Sequence, residues 1–458
     1  MIVATDRLQS ALNAHLAGDL RKAESLYQKL LQSQPGNARV CYLLGSLYAQ
    51  RRQTNLAVAM LRRAVALDPL LAEAHNNLGR TLEDAGDKDA AQDSYARAFT
   101  LAPGNPDFAC NLAALRETLG DHEMALGLYD HVLSQTPDHA DAHWNRALIR
   151  LRGGDFAGGW PDFEWRFAAP GARRREFSTP QWRGEPLAGK TIFVHAEQGY
   201  GDTFHFVRYL PWLKSQGARV VFECHDGMKS VLAGCDGFDL LTEWSEHWFD
   251  DHFEELDCQI PLLSLPGIAQ TETNTIPAEI SYIKADASKE QYWGERLTEI
   301  AGGAIRVGVV WAGSPNQKND ANRSCRLTDL APVLAMDGAQ FFSLQRGPAA
   351  RQIADCPHAN LWDLSQELED FADTAGAIAN LDLVISVCTS VAHLAGAMGK
   401  PVWTLLSERA CWRWMRDRDD SPWYPTMRLL RQQILGDWAP VARRAADLLA
   451  EAAASAKP

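Results

Sequence analysis

The sequence predicts an α-helical array followed by α/β structure, and three observations predict it. Residues recur at a fixed period through the first third. Short apolar runs alternate with helical patterns beyond residue 190, and glycines and hydroxyls cluster where those runs end. At 458 residues the chain exceeds the size of a single core, so about three domains are expected. Its 46% hydrophobic content makes it globular. The formal net charge of −13 argues against wholesale binding to nucleic acid or an anionic membrane. No apolar run approaches the ~18 residues of a membrane span. The opening "MIVATDRLQSALNAHLAGDL" carries Asp6 and Arg7 where a secretory leader would be apolar, so a cytoplasmic location is expected. Nine scattered cysteines form no CxxC pair, which supports neither a disulfide framework nor a zinc site.

In the first third, Pro35, Pro69, Pro103 and Pro137 succeed one another at intervals of 34 residues. Ala23, Ala57, Ala91 and Ala125 share one phase, Tyr27, Leu61, Tyr95 and Tyr129 a second, and Gly45, Gly79, Ala113 and Ala147 a third. Small residues at fixed helical positions let two helices approach closely; a ring fills the hole beside them, and proline stops the second helix. This is the pattern of a helical-hairpin solenoid. "AEAHNNLGRTLEDAGDKDAAQDSYARAFTLAP" (Ala72 to Pro103) carries it most plainly.

On those residues the chain resembles the tetratricopeptide repeat family. Four full repeats run from about residue 4 to 139. A fifth ends in "GDFAGGWPDFEWRF" (Gly154 to Phe167), where Trp160, Trp165 and Phe167 add the bulk of a cap that docks onto the next domain. The array is therefore expected over 1–168, with a concave surface that holds a peptide or protein, or with the plainer role of a spacer. Residues 169–188 read as a linker rich in Pro, Gly and Arg, in which Arg173, Arg174 and Arg175 are either solvated or available to a phosphate.

Beyond the linker, "KTIFVHA" (Lys190 to Ala196), "ARVVFEC" (Ala218 to Cys224) and "LDCQIPL" (Leu256 to Leu262) read as strands. A second series comprises "IRVGVVWAGS" (Ile305 to Ser314), "AQFFSLQRG" (Ala339 to Gly347), "LDLVISVC" (Leu381 to Cys388) and "PVWTLL" (Pro401 to Leu406). Such alternation predicts parallel sheets covered by helices on both faces, and two series predict two domains with a ligand between them. In the first, "AEQGYGDTFHFVRYLP" places Gln198, Gly199, Gly201 and Asp202 between a strand and a helix that Pro211 kinks or ends. In the second, Thr389 or Ser390 caps a helix carrying His393 one turn in, which suits a diphosphate; the plainer reading is an ordinary cap and a core histidine. Trp311, Gly313 and Ser314, with Gln345 and Arg346, lie just past strand ends, the edge where open α/β sheets bind ligands. No GxGxxG comes after a strand with an acid about 20 residues on, so a dinucleotide-dependent oxidoreductase is poorly supported.

Residues 181–433 also resemble the glycosyltransferases joined to tetratricopeptide arrays in bacteria, which are related to heptosyltransferase-like GT-B enzymes. The matching blocks are "PQWRGEPLAGKTIFVHAEQGYGDTFHFVRYLP", "VGVVWAGSP", "TSVAHLAGAMGKPVWTLL" and "WRWMRDRDDSPWYPTMRLLRQ". The resemblance implies two Rossmann-like domains, 189–286 on the acceptor side and 287–458 on the nucleotide-sugar side. It also implies metal-independent transfer with no cofactor, and a final helix that packs back across the first domain. Asp202 matches the acid proposed as general base in such enzymes, and its plainer reading is a capping aspartate. Trp311, Gly313, Ser314, Gln345, Arg346, Thr389, Ser390 and His393 fall on the donor side; Gln198, Gly199 and Gly201 fall on the acceptor side. Related enzymes often have an acid where this chain has Cys388, which points to a different donor or to weakened transfer. A transferase-shaped scaffold without turnover is the alternative. In "WRWMRDRDDSPWYP", Trp412, Trp414, Trp423 and Tyr424 are candidates for stacking on a ligand or for core packing, and Arg413 and Arg416 are phosphate candidates.

Overall fold

The computed structural model describes residues 2–169, 175–279, 281–356 and 360–455. Arg173 and Arg174 lie outside the described residues. The chain divides into two compact units, one of residues 1–149 with 162–173 and one of residues 150–161 with 174–458.

The first unit consists of helical hairpins. Its helices are α1 (Ile2–Leu16), α2 (Leu20–Ser33), α3 (Ala38–Gln50), α4 (Thr54–Leu67), α5 (Ala72–Asp84), α6 (Lys88–Leu101), α7 (Pro106–Thr118), α8 (His122–Gln135) and the greater part of α9 (Ala140–Gly153). The two sequence phases meet in space: a Cβ added to Gly79 would stand 2.7 Å from the ring of Tyr95, and one added to Gly45 would stand 2.7 Å from Leu61. Only glycine permits that approach. Ala23, Ala57, Ala91 and Ala125 are fully buried. Asp19, Asn37, Asp87, Asn105 and Asp121 each accept an amide hydrogen bond at a helix start, which satisfies donors the helix cannot.

The expected cap divides at Pro161, inside α10 (Phe156–Phe163). In the first unit the Trp165 ring stacks on His143 at 4.3 Å, and Arg166 lies over Phe167. In the second, Phe156 packs on Trp423, Trp160 packs edge-on to Trp412, and Trp160 Nε1 donates to the Thr271 carbonyl at 2.8 Å. An array boundary at residue 168 therefore differs from the compact units, because 150–161 bury their rings among residues of the second unit.

That unit holds two all-parallel sheets. The four-stranded one has the order β3-β2-β1-β4, with β1 Thr191–His195, β2 Arg219–Cys224, β3 Leu240–Glu243 and β4 Cys258–Pro261. The six-stranded one has the order β10-β9-β8-β5-β6-β7, with β5 Ile305–Val310, β6 Ala339–Ser343, β7 Leu361–Asp363, β8 Leu383–Val387, β9 Val402–Leu406 and β10 Met427–Arg431. In each sheet the order reverses beside its first strand, which makes β1/β4 and β5/β8 the topological switch points.

Three expectations are corrected. The described part of the 169–188 stretch is not a free linker: Gln181 bridges Gln259 on β4, and Trp182 is buried with its amide donating to the Gln259 carbonyl at 2.8 Å. Pro211 does not end the helix that carries Asp202. That helix, α11 (Tyr200–Phe206), passes first into a 3-10 turn at Val207–Tyr209, and Pro211 stands in the first turn of α12 (Leu210–Ser215), where its missing N–H has no intrahelical partner to lose. The last helix, Ala439–Ser455, buries Val441, Ala442, Ala445, Leu448 and Leu449 in the core of the six-stranded sheet with Val307 and Leu330, not across the first sheet. No helix among the described residues is long and apolar enough to cross a membrane.

Candidate functional site

The loop after β1 turns sharply. Gln198 adopts φ 61°, a left-handed conformation that a side chain strains. Gly199 then starts α11 as its N-cap, and its amide donates to Asp202 Oδ2 at 3.0 Å. Asp202 therefore caps its own helix. Its Oδ1 accepts from the Arg413 guanidinium, 211 residues away in the segment after β9. Arg413 is buried. Burial works against its charge, but Asp202 and the neighbouring Cys411 and Cys388 sulfurs outweigh that and hold its pKa above the ordinary arginine value.

The loop after β8 is built differently. Thr389 is the N-cap of the helix Ser390–Ala397, yet its hydroxyl makes no capping bond and pairs instead with Ser386 Oγ at 3.0 Å. The amides of the first turn are left without a side-chain cap, at the positive end of the helix dipole. Gly201 brings the two loops together: a Cβ there would stand 2.9 Å from His393 Cδ2 and 3.4 Å from Ser390 Cα. Gly201, Asp202, Ser390, His393 and Arg413 thus gather where the two switch points meet.

His393 is buried, stacked on Trp414 at 4.9 Å, with Nδ1 2.9 Å from the Tyr424 hydroxyl. Burial and then the charges of Arg413, Arg208 and Arg323 hold it well below the usual histidine pKa, so the ring is neutral. Burial, and after it Arg208, His393 and Arg413, likewise hold His205 well below the usual value, and its Nδ1 lies 2.9 Å from the same hydroxyl. Burial pushes the Cys388 thiol up to about 11, with Cys411 adding to it, so Cys388 is a neutral thiol that accepts from Trp414 Nε1 at 3.1 Å.

The remaining expected donor residues divide. Trp311 is fully buried in the sheet core, so its ring is not offered to a ligand. Gln345 is buried too: its Oε1 accepts from the Trp311 and Ala312 amides, and its Nε2 donates to the Ala312 and Arg346 carbonyls. It ties two strand ends together and has nothing left for a ligand. A Cβ on Gly313 would collide with Arg323 at 2.3 Å, so this glycine makes room for that guanidinium. Ser314 and Arg346 are exposed, and Arg346 donates to the Glu369 carbonyl at 2.5 Å while lining a cavity of about 840 Å³ with Arg351, Asp363 and Ser365. Trp412, Trp414, Trp423 and Tyr424 are all buried, which makes them core rings. Arg416 lies against Gly153.

Sequence reasoning missed Arg323, whose NH1 donates to the Cys388 carbonyl at 3.1 Å beside the open helix start. It also missed His205 and Arg208; nothing in their local spacing marks them. No group of three or more His, Cys, Asp or Glu arranged to hold a metal occurs among the described residues.

Residues 14–80, 72–105 and 110–159 match models of the tetratricopeptide repeat. Among curated proteins the chain is similar to Protein FlbA of Caulobacter vibrioides, 26% identical over 339 residues, which cover 67% of this chain and 54% of that protein. That stretch is long enough to include part of the α/β region. It is also similar to Tetratricopeptide repeat protein 7A of Homo sapiens, 31% identical over 93 residues, 20% of this chain and 11% of that one. The chain spans about half the length of FlbA and far less of the human protein. Among solved structures, MamA is 26% identical with a TM-score of 0.32, covering 34% of this chain and 91% of its own. YrrB, described as a TPR protein with an unusual peptide-binding site, is 19% identical with a TM-score of 0.32, covering 35% and 84%. The N-terminal region is thus built of tetratricopeptide repeats, and an α/β region of parallel sheets succeeds it.

Proposed function

We propose that the α/β region is a GT-B-like glycosyltransferase, which moves a sugar from a nucleotide donor to an acceptor, such as a protein segment, recruited by the repeats. One observation carries the reading: Gly201 lets the carboxylate turn after β1 meet the open helix start after β8, at the switch points of two parallel sheets. In this reading the amides at Ser390, the Thr389 hydroxyl, His393 and the nearby Arg323 receive the leaving diphosphate. Asp202 takes the proton from the acceptor hydroxyl as it attacks the anomeric carbon. An anionic diphosphate competes for Arg413 and so frees Asp202 Oδ1 for that task.

A second reading, a scaffold without turnover, is favoured by the engagement of both Asp202 oxygens, one by Gly199 and one by Arg413. The two part on one experiment. The full chain is screened by thermal shift against the diphosphates of uridine, adenosine, guanosine and cytidine and their sugars, and each stabilising donor is then assayed for nucleoside diphosphate release. Stabilisation and then release are expected, since a ligand that binds only the folded state raises its melting temperature. No stabilisation by any of them would overturn the transferase reading; stabilisation without release would favour the scaffold.

A further inference from the structure

Resting on that reading, we propose that Tyr424 and His205 are positioning residues that fix His393 as a hydrogen-bond donor, with the proton on Nε2 for the donor's diphosphate. The Tyr424 hydroxyl has one proton, yet it lies 2.9 Å from Nδ1 of His205 and 2.9 Å from Nδ1 of His393. It can donate to only one of them. The other ring must donate to the phenol oxygen, so the two neutral imidazoles are forced into opposite tautomers.

Which ring donates is decided at the far side of His205. Its Nε2 is buried and meets no partner among the described residues. A proton there would be an orphaned buried N–H, which folded proteins avoid more strictly than an orphaned lone pair. His205 therefore carries its proton on Nδ1 and donates to Tyr424, Tyr424 donates to Nδ1 of His393, and His393 keeps its proton on Nε2. That nitrogen has no partner among the described residues and, unlike Nε2 of His205, is not sealed. The adjoining Cδ2 faces Gly201, so the N–H stands beside the glycine turn.

The surroundings hold the chain in place. Arg208, fully buried, donates to the carbonyls of His205 and Trp423 at 2.7 and 2.6 Å and to the Tyr282 hydroxyl at 2.8 Å. Its guanidinium lies 4.6 Å from the centre of the Tyr424 ring, a positive charge that makes the phenol a readier donor, as its bond to His393 requires. Trp414 fixes the plane of His393.

The test is two-bond ¹⁵N–¹H correlation of ¹⁵N-histidine in the full chain at pH 7.5, assigned with His205→Gln and His393→Gln. His393 is expected to show a protonated Nε2 and His205 a protonated Nδ1. Tyr424→Phe should abolish that preference in His393 and lower affinity for the tightest of the four nucleoside diphosphates roughly 2- to 10-fold by calorimetry, the weight of one hydrogen bond. His205→Asn, whose amide N–H can stand where Nδ1–H stood, should preserve the His393 tautomer, and His205→Leu should not; these variants keep the test alive if Tyr424→Phe fails to fold. A protonated Nδ1 on His393 overturns the proposal whatever binds. The expected tautomer with no diphosphate bound overturns the transferase reading and the ligand half of the proposal, and leaves the relay standing.

Discussion

The turns after β1 and after β8 use one device, a strand end leading into a helix start, and finish it in opposite ways. After β1, Asp202 closes the helix start with its own carboxylate and is held in turn by Arg413. After β8, Thr389 bonds Ser386 instead of the helix, and the start is left without a side-chain cap. The difference teaches that a glycine-rich turn does not by itself make an anion site. What matters is whether the cap faces inward or is withheld.

The largest effect that can break this contrast is at Asp202. Asp202→Asn should cut the transfer rate ~10²–10⁴-fold, because an amide does not take up a proton at neutral pH. It also leaves the buried Arg413 without its carboxylate, and removing one partner of a buried pair costs about 3–5 kcal/mol. Rate and stability must therefore be read apart. The double variant Asp202→Asn/Arg413→Met should regain stability, seen in denaturant midpoints, yet stay inactive. Activity returning with stability would reduce Asp202 to a cap.

Next in size is the contact that joins the turns. Gly201→Ala places a methyl carbon 2.9 Å from His393 and 3.4 Å from the Ser390 backbone, and such overpacking typically costs about 1–3 kcal/mol. Diphosphate affinity should fall with it. A variant with wild-type stability and affinity would show that the two turns need not meet.

Much of this architecture is legible in the sequence, and the parts that are not share a physical reason. β1, β2, β5, β6, β8 and β9 are largely buried runs, so their apolar residues stand out. β3, β7 and β10 lie at sheet edges; β7 is three residues long and its Trp362 is 42% exposed. The two turns are visible because their glycines and hydroxyls are local. The pairs that complete the site are not: Asp202 and Arg413 are 211 residues apart, and His205 and Tyr424 are 219. A place just past a strand end suggests that Trp311 and Gln345 face a ligand, but each continues its strand's inward alternation and is buried.

A smaller effect comes from the buried histidines of the meeting point. His205 and His393 have folded pKa values well below the ordinary 6.5, chiefly through burial. The unfolded chain then binds more protons than the folded one below that value, so their contribution to stability is whole above about pH 6.5 and is lost as pH falls. Each can remove up to ~1.4 kcal/mol per pH unit in that range. Urea midpoints measured from pH 7.5 to 5 should fall, and His393→Gln should flatten the slope. An unchanged slope in that variant would mean the ring is already charged, or exposed, in the folded protein.

The smallest expected change is the most pointed, because it asks whether the open helix start is open for a ligand. An N-cap threonine that bonds its helix typically contributes about 1 kcal/mol, which alanine removes. Thr389 makes no such bond, and its partner Ser386 keeps a second contact, to the Val387 carbonyl at 2.8 Å. Thr389→Ala should therefore cost well under that amount, whereas Asp286→Ala, which takes away a side chain accepting from both Ser288 and Lys289, should cost about all of it. If the hydroxyl is withheld from the helix for the sake of a diphosphate, Thr389→Ala should still weaken nucleoside-diphosphate binding by roughly 2- to 10-fold, one hydrogen bond's worth, with the melting temperature of the free protein nearly unmoved. A full cap-sized loss of stability with unaltered affinity would reverse the contrast and make the start after β8 a closed one like its counterpart after β1.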